Sequence, residues 1–332
     1  MPDQDLYPLL FEPQLRHYVW GGRNLETLYG RRLPPGPTAE SWEISGHAEA
    51  PTKVANGAYQ GLSLPELVRL LGPRLLGTRT VELLGGARFP LLVKLLDAHR
   101  DLSVQVHPDD AYAREHEHGE QGKTEAWYIL AAEEGARLVY GLRPGTDSEA
   151  MKKALAEGTV VDLLTYLPVK AGDCVYVPTG TVHAVMSGTV VAEIQQTSDV
   201  TYRIYDFDRL DKHGKPRKLH NDLAIDAIDY SWQKGYKKQY ERQKNTPVEL
   251  VSCPWFTTNL LELNQTVGKD FSQYDTFVIY MGIVGKVRLV WKGGEEIIDK
   301  GETVLVPAIL EEFKLEPLHG EARLLEIYMD ER

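Results

Sequence analysis

Short runs of apolar and β-branched residues between clusters of turn-forming residues predict β-strands along most of the chain. The run from Phe89 to Leu96 is almost continuously apolar, which is typical of a strand buried on both faces. Further strands are predicted over residues 126–131, 137–141, 174–177, 190–195 and 201–207. Many short strands and few helices favour a mainly β fold, either a sandwich or a barrel.

Helical periodicity is confined to short segments. Residues 64–71 have the apolar spacing of an amphipathic helix, with Ser63 as the N-cap and Pro65 in the first turn. A second helix is predicted over residues 148–157, and the glycine that follows, Gly158, is expected to end it. Residues 112–118 are predicted to form a third.

A weak internal repeat predicts a second β-domain. The segment Gly172–Pro178 recurs as Gly301–Pro307, with a turn glycine, an acidic residue, a β-rich centre and a terminal proline in both copies. The copies then diverge, because Ile309 and Glu312 stand at the offsets of Gly180 and His183. The polar stretch 233–246 is therefore interpreted as a boundary between domains 1–240 and 241–332. Alternatively, this stretch is a solvated helix or strand within one domain.

Composition narrows the class of protein. The 332 residues include 37 Lys and Arg against 48 Asp and Glu, a net charge of −11 that argues against non-specific binding to nucleic acid or anionic membranes. A local cation cluster can still bind an anionic small molecule. Cys174 and Cys253 are interpreted as reduced thiols. No secretory signal pattern or membrane-spanning apolar run is visible, so a cytoplasmic protein is expected.

Four side chains form a candidate metal site. Gln105 and His107 are two residues apart on a predicted strand, so they point to the same face. Glu125 and His183 lie near the predicted strands at 126–131 and 174–177. Imidazole, carboxylate and amide oxygen are the ligand types of a catalytic zinc or non-haem iron site.

The spacing around His183 resembles the second conserved motif of the cupin superfamily. Gly172, Pro178, Gly180 and His183 stand at the expected offsets, although Ser187 occupies a position where the family pattern has asparagine. The first cupin motif normally carries a His-x-His pair followed closely by a glutamate. Gln105-x-His107 and the delayed Glu125 depart from that pattern in a way that resembles type I mannose-6-phosphate isomerase, or phosphomannose isomerase.

The resemblance to type I phosphomannose isomerases extends over about residues 7–230. It rests on the segments 102–110, 122–128 and 193–207, with Trp20–Gly22 and Glu40–Glu43 near the start. It implies a cupin-type jelly-roll barrel with few short helices, followed by a degenerate C-terminal cupin-like β-sandwich that lacks metal ligands. The chain length is similar to that of the short bacterial form of the family, which lacks the helical insertion of the longer enzymes.

The resemblance also implies roles for individual residues. It makes His107, Glu125 and His183 ligands of one Zn²⁺ per chain, with Gln105 as a fourth ligand. Arg203 matches the family's catalytic arginine. The positions that match the lining of the sugar-phosphate pocket are Lys94, Ser103 and Lys123. For Gln105 the alternative is that its amide orients a water or another ligand.

Residue chemistry leaves some of these roles open. Alternation on the predicted strand puts Arg203 and Asp206 on opposite faces, which disfavours a purely structural ion pair between them. Lys123 is either a pocket residue or a solvated lysine. Lys94 lies within an apolar strand, and a buried ammonium needs a compensating anion, such as a ligand phosphate or carboxylate.

The expected activity is the interconversion of mannose 6-phosphate and fructose 6-phosphate through an enediol. Arg203 stays protonated near neutrality, so it is expected to stabilise the enediolate or the phosphate. The general base is left open between Lys123, a metal-polarised water and another carboxylate. The alternatives are a sugar-phosphate-binding cupin without turnover and a non-haem iron dioxygenase. No nucleic-acid or membrane partner is expected, and the oligomeric state is left open.

Overall fold

The computed structural model describes residues 6–210, 214–231 and 237–330. These residues form a mainly β protein in which antiparallel sheets predominate and the helices are short. The predicted cupin-type β fold is thereby confirmed. By its internal contacts the chain divides into two compact units, one of residues 15–41 and 93–238, the other of residues 1–14, 42–92 and 239–332.

The unit of residues 15–41 and 93–238 contains every predicted site residue. Its five-stranded sheet has the order β13-β6-β11-β8-β9, and a six-stranded sheet has the order β10-β7-β12-β5-β3-β2. The chain crosses between the units within β2, β3 and β5. The strands are β2 (Gln14–Arg16), β3 (Glu40–Ser45), β5 (Leu91–Ala98), β6 (Val104–Val106), β7 (Glu125–Ala132), β8 (Arg137–Leu142), β9 (Leu164–Pro168), β10 (Cys174–Val177), β11 (His183–Val185), β12 (Thr189–Gln196) and β13 (Tyr202–Tyr205).

The second unit contains a seven-stranded sheet, β14-β15-β22-β17-β20-β1-β4, and a four-stranded sheet, β16-β21-β18-β19. Side chains of both sheets, including Tyr280, Leu289 and Phe313, share one buried apolar cluster. The strands are β1 (Leu9–Glu12), β4 (Lys53–Val54), β14 (Val248–Ser252), β15 (Thr257–Leu263), β16 (Val267–Asp270), β17 (Val278–Val284), β18 (Val287–Trp291), β19 (Gly294–Ile298), β20 (Thr303–Val306), β21 (Glu312–Pro317) and β22 (Ala322–Tyr328).

The described helices are short and lie between strands. They are α1 (Asn24–Tyr29), α2 (Leu64–Leu71), α3 (Pro73–Leu76), α4 (Thr78–Leu83), α5 (Asp110–His116), α6 (Ser148–Glu157) and α7 (Asn221–Ala227), with 3-10 turns at Gly57–Tyr59 and Val160–Leu163. No helix of the described segments combines the length and the apolar character needed to cross a bilayer.

Local capping chemistry explains where the predicted helices begin and end. α2 starts at Ser63, whose backbone N–H donates to Glu66 Oε2 at 2.9 Å in a capping box. α6 ends at Gly158 in the left-handed conformation. α5 begins earlier than predicted, because the Asp109 carboxylate accepts the Tyr112 N–H at 2.8 Å and caps the helix there.

The apolar run near residue 90 forms β5, and all eight of its residues are buried. The core of the first unit consists of two apolar clusters. One includes Trp127 and Val175, and the other includes Val104 and Ile204. Burial of these alternating side chains provides the main driving force for pairing the strands that carry the site.

The extent of the second unit differs from the predicted domain 241–332. Its C-terminal part begins near the predicted boundary, at residue 239, but the unit also includes residues 1–14 and 42–92. Leu9 pairs with Leu305, so β1 adds to the edge of β20. Such pairing between distant parts of the chain leaves no periodic signal in either segment. Residues 233–236 of the predicted boundary stretch lie outside the described residues.

The two copies of the internal repeat both form strands, but in different surroundings. Cys174–Val177 forms an edge strand of its sheet and pairs with β7. Thr303–Val306 forms an inner strand between β17 and β1. Ile309 and Glu312 are exposed. Among the described residues, the only group of His, Cys, Asp and Glu side chains that could hold a metal is His107, Glu125 and His183.

Neither cysteine forms a disulfide in the structure. Burial raises the pKa of the Cys174 thiol to about 12, so this side chain behaves as a small apolar residue of the core. Cys253 is partly buried. The thiols are therefore predicted to have no part in the chemistry of the site.

Candidate metal centre and cleft

Three adjacent strands align part of the site in one row. Gln105 on β6 pairs with His183 on β11 and with Arg203 on β13. Residues directly opposite each other on antiparallel strands point to the same face of a sheet. The side chains of Arg203, Gln105 and His183 therefore share one face of the five-stranded sheet, in that order.

The other two candidate ligands come from neighbouring segments of the same unit. His107 follows directly after β6, and Glu125 is the first residue of β7 in the six-stranded sheet. One donor atom from each of His107, Glu125 and His183 lies within 4.8 Å of the others. All three side chains are at most 1% exposed. The structure thus brings the three predicted metal ligands together in the interior.

Hydrogen bonds to backbone carbonyls fix the tautomers of both histidines. Nδ1 of His107 lies 2.8 Å from the Val200 carbonyl oxygen, and Nδ1 of His183 lies 2.8 Å from that of Thr181. A carbonyl only accepts hydrogen bonds, so each Nδ1 must carry the proton and donate it. Each neutral ring therefore directs the lone pair of Nε2 toward Glu125. This is the usual arrangement of a metal-ligating histidine.

Unsatisfied polar atoms indicate that a cation fits between these side chains. Within the described residues, Oε2 of Glu125 and Nε2 of His183 are buried without a hydrogen-bond partner, while Oε1 of Glu125 pairs only with a lysine. Leaving such acceptors unpaired is costly, and a positive ion coordinated by all of them would remove the cost. Two neutral imidazoles and one carboxylate suit a divalent transition metal and leave positions for further ligands.

Lys123 lies directly beside this group. Its Nζ is 2.7 Å from Glu125 Oε1 and 3.3 Å from His107 Nε2. Burial raises the pKa of the Glu125 carboxyl, but the Lys123 ammonium together with His107 and His183 outweighs burial and holds that pKa well below its usual range. Burial, reinforced by the same ammonium, lowers the pKa of His107 to about 3. Both groups are therefore in the protonation state that metal ligation requires.

The motif glycine Gly180 supports the segment that carries His107. Its N–H donates to the His107 carbonyl at 2.9 Å, and its own carbonyl accepts the Asp229 N–H at 2.9 Å. Gly180 has φ +80°, and a Cβ at this position would lie 2.9 Å from the Asp229 Cβ. Only glycine fits such a close approach in the left-handed region without strain.

We expect Gly180→Ala to weaken the metal site indirectly. The strained backbone and the contact with Asp229 should destabilise the fold by about 2 kcal/mol and displace the His107 carbonyl. Thermal unfolding and the metal content of the purified variant measure the two effects. Gly145→Ala is a matched control, because Gly145 also has positive φ but has open space around its Cβ position. Equal metal loss in both variants would contradict the proposed support.

A cleft of about 280 Å³ adjoins the buried triad. The five remaining predicted site residues all line it, namely Lys94, Ser103, Gln105, Lys123 and Arg203. Lys123 is the lining residue in contact with Glu125 and His107. Gln105 is half-buried and shares a sheet face with His183. A small polar molecule in the cleft would thus lie beside Lys123, which contacts two members of the triad.

Protein carboxylates, rather than a ligand, provide the counter-charge for the buried Lys94. Its Nζ is 3.1 Å from Glu193 and 3.7 Å from Glu40. Burial would lower the pKa of Lys94, but the two carboxylates raise it above its usual range. Burial and the negative charge of Glu125 outweigh the effect of this ammonium on Glu193, so the pKa of the Glu193 carboxyl is raised. Lys94 therefore stays protonated and orients the Glu193 side chain.

Neutral acceptors hold the Arg203 guanidinium in the wall of the cleft. Nε donates to Ser103 Oγ at 3.2 Å, and Nη1 donates to the Lys218 carbonyl at 2.9 Å. Asp206 instead pairs with Arg209 and Arg217, as the predicted alternation of faces requires. Burial, together with the nearby Arg217, lowers the pKa of Arg203. Its charge is accordingly directed toward the cleft.

Several cleft residues carried no role in the sequence-based prediction. Glu40 and Glu193 lie within the family-like segments, but a carboxylate in a strand has no distinguishing spacing. Arg217 lies beyond those segments, in an irregular polar stretch. The charged and phenolic side chains that line the cleft without having been predicted as site residues are Tyr18, Glu40, Glu193, Asp199 and Arg217.

Comparison with known proteins identifies the family. Residues 9–133 match the family described as phosphomannose isomerase type I, catalytic domain. The mannose-6-phosphate isomerase of Streptococcus mutans is 37% identical over 313 residues, which cover 93% of this chain and 95% of that protein. The chain belongs to the type I phosphomannose isomerase family.

Further members of the phosphomannose isomerase family match over nearly the whole chain. Bacillus subtilis mannose-6-phosphate isomerase ManA is 39% identical over 317 residues, covering 93% of this chain and 96% of that protein. The crystal structure of the mannose 6-phosphate isomerase from Bacillus subtilis superposes with a TM-score of 0.86 at 36% identity, covering 96% and 99% of the two chains. The relationship therefore includes both units of the chain.

Proposed function

We propose that this member of the phosphomannose isomerase family is a zinc-dependent aldose–ketose isomerase that interconverts mannose 6-phosphate and fructose 6-phosphate through an enediol. The observation that carries the proposal is the buried group of His107, Glu125 and His183, whose unsatisfied acceptors adjoin a cleft rich in cations. The identity of the substrate is inferred from the relatives that are named mannose-6-phosphate isomerases.

The proposed metal ligands are His107, Glu125, His183 and, as a fourth, Gln105. A zinc ion bound there would act as a Lewis acid that polarises the carbonyl and hydroxyl oxygens at C1 and C2 of the open-chain sugar. Gln105 is proposed because its amide shares a sheet face with His183 and lines the cleft. One ion per chain is proposed, since the described residues contain one such group.

The cations of the cleft are proposed to stabilise the negative charge that develops on the enediolate. Arg203 and Lys123 both line the cleft, and Lys123 lies beside Glu125. Both side chains are held in place before the substrate binds, Arg203 by Ser103 and Lys123 by Glu125. Charges fixed in this way need no reorganisation as the C–H bond breaks, which makes them effective in catalysis.

Isomerisation also requires a group that carries a proton between C2 and C1. Glu193 lines the cleft, and burial raises the pKa of its carboxyl group, which makes it a stronger base than an exposed glutamate. Lys94 and the Trp127 indole N–H, at 3.1 Å each, hold this carboxylate in one orientation. We therefore propose Glu193 as the proton carrier, with Lys94, Ser103 and Lys123 contacting the sugar phosphate.

A coupled assay from mannose 6-phosphate to fructose 6-phosphate tests the proposed function. The zinc-loaded protein is expected to turn over, and deuterium at C2 of the sugar should slow the reaction, because proton abstraction breaks that bond. Glu193→Gln should lower turnover by about 10²-fold or more while zinc remains bound. Binding without turnover would instead support a sugar-phosphate-binding protein. Oxygen uptake by an iron-loaded sample would support the dioxygenase alternative.

A further inference from the structure

Positive charge is unevenly distributed along the cleft. Lys94 faces two carboxylates, Glu40 and Glu193, and Lys123 faces Glu125. Cations are therefore matched or outnumbered by carboxylates on that side. A phosphate dianion placed there would meet buried negative charge that is not fully compensated, which is unfavourable in a poorly solvated site.

The opposite charge balance holds around Arg203. Its guanidinium donates to two neutral acceptors, Ser103 Oγ and the Lys218 carbonyl, so no carboxylate offsets its charge within hydrogen-bonding distance among the described residues. Arg217 lines the same cleft, and its charge is close enough to lower the pKa of Arg203. Two guanidinium groups thus face one region of the cleft.

Asp206 orients Arg217 but does not neutralise the group. The Asp206 carboxylate, which is 5% exposed, accepts from Arg217 Nε at 2.7 Å and also from Arg217 Nη2. The same carboxylate pairs with Arg209, so one negative charge is shared by two guanidinium groups. The two guanidinium groups that line the cleft, Arg203 and Arg217, therefore have a net positive charge that this shared carboxylate does not cancel. This excess is suited to a doubly negative ligand.

We propose that Arg217, together with Arg203, binds the phosphate dianion of the substrate, so that Arg217 determines the preference for a phosphorylated over a free sugar. The inference rests on the proposed function for the identity of the sugar phosphate. Arg203 is two strands away from His183 in the same row, roughly 10 Å at the usual strand spacing. An extended sugar can therefore have its phosphate at the arginines and its reacting carbons beside the triad.

Arg209 provides a matched control for Arg217. Both guanidinium groups pair with the same Asp206 carboxylate, but Arg209 directs a second nitrogen to the Asp101 carbonyl and lies over the Phe207 ring. Arg209 is not one of the side chains that line the cleft. Removing either arginine breaks one ion pair to Asp206, whereas only Arg217→Gln removes a charge from the cleft.

The test compares Arg217→Gln with Arg209→Gln in the zinc-loaded protein. Loss of a two-point, charge-assisted contact should raise the KM for mannose 6-phosphate and the inhibition constant for inorganic phosphate by about 10- to 100-fold, with a smaller change in kcat. Arg209→Gln should leave both constants within about 2-fold of wild type. Arg217→Lys should recover part of the loss, because it restores the charge but not the two-point geometry.

Three results would overturn the inference. The first is an unchanged inhibition constant for phosphate in Arg217→Gln, and the second is a decrease in that variant confined to kcat. The third is an equal loss of phosphate affinity in Arg209→Gln, which would indicate a structural role of the ion pairs. Calorimetric titration with inorganic phosphate separates this inference from the proposed function, because it needs no turnover. Phosphate binding that depends on Arg217 in a protein without isomerase activity would contradict only the proposed function.

Discussion

Removal of the metal is expected to abolish isomerisation, and stoichiometric zinc is expected to restore it. Oε2 of Glu125 and Nε2 of His183 are buried and accept no hydrogen bond within the described chain, so a bound cation best accounts for their arrangement. Loss of a Lewis acid at the reacting oxygens costs several kcal/mol of transition-state stabilisation, or about 10³-fold or more in rate. The coupled assay on chelator-treated and zinc-reconstituted protein measures this loss.

Variants of two histidines provide a control for the metal experiment. His183→Ala removes one proposed ligand and should lower the zinc content together with activity. His116→Ala removes an exposed histidine on α5, whose ring stacks on Tyr112, and should retain both. Full activity in a rigorously metal-free sample would eliminate the proposed metal role. Restoration by iron alone, accompanied by oxygen uptake, would favour the dioxygenase alternative.

Arg203→Ala is expected to lower turnover by about 10²- to 10³-fold while zinc stays near one ion per chain. The guanidinium is positioned by Ser103 and by the Lys218 carbonyl, and burial makes its charge more effective than that of an exposed arginine. Arg203 forms no hydrogen bond or ion pair with His107, Glu125 or His183 among the described residues, and it meets Gln105 through the backbone pairing of β13 with β6, so its loss should leave the metal bound. Steady-state kinetics and elemental analysis of the same preparation measure both quantities.

The outcome for Arg203 is informative only if the fold is preserved. Arg203→Lys retains a charge but lacks the planar donor set, so it should recover only part of the lost activity. Arg209→Ala, on the segment that follows the same strand, should have nearly wild-type turnover because it does not line the cleft. Retained turnover in Arg203→Ala would remove this residue from the catalytic role. Loss of zinc in that variant would instead point to a structural one.

The sequence was sufficient to predict six of the strands and much of the candidate site. The segment at 174–177 forms β10 within the predicted bounds, because a short apolar run between turn residues buries most of its side chains by pairing as a strand. His107, Glu125 and His183 were selected by motif spacing, and the structure brings their donor atoms within 4.8 Å. Motif spacing succeeds where local backbone geometry determines the direction of a side chain.

The counter-charges of the site could not be predicted in this way. Lys94 was recognised as a buried cation that needs a partner, but Glu40 and Glu193 are contributed by strands far away in sequence. Arg217 likewise acquires its orientation from Asp206 through a tertiary ion pair. Such pairs depend on the register of whole strands and on the path of irregular segments, and neither leaves a local pattern in the sequence.

By itself, the sequence indicated the β-rich class, the capped helices and a metal site at His107, Glu125 and His183, because each depends on short-range periodicity or spacing. The role of Arg203 remains a prediction from the family resemblance. Only the tertiary structure decided that β1 pairs with β20, so that the second unit includes N-terminal residues. The tertiary structure also determines which cations of the cleft form ion pairs with carboxylates and which, like Arg203, donate only to neutral acceptors. The physical reason is that burial and pairing of charges are properties of neighbours in space, which local sequence patterns do not specify.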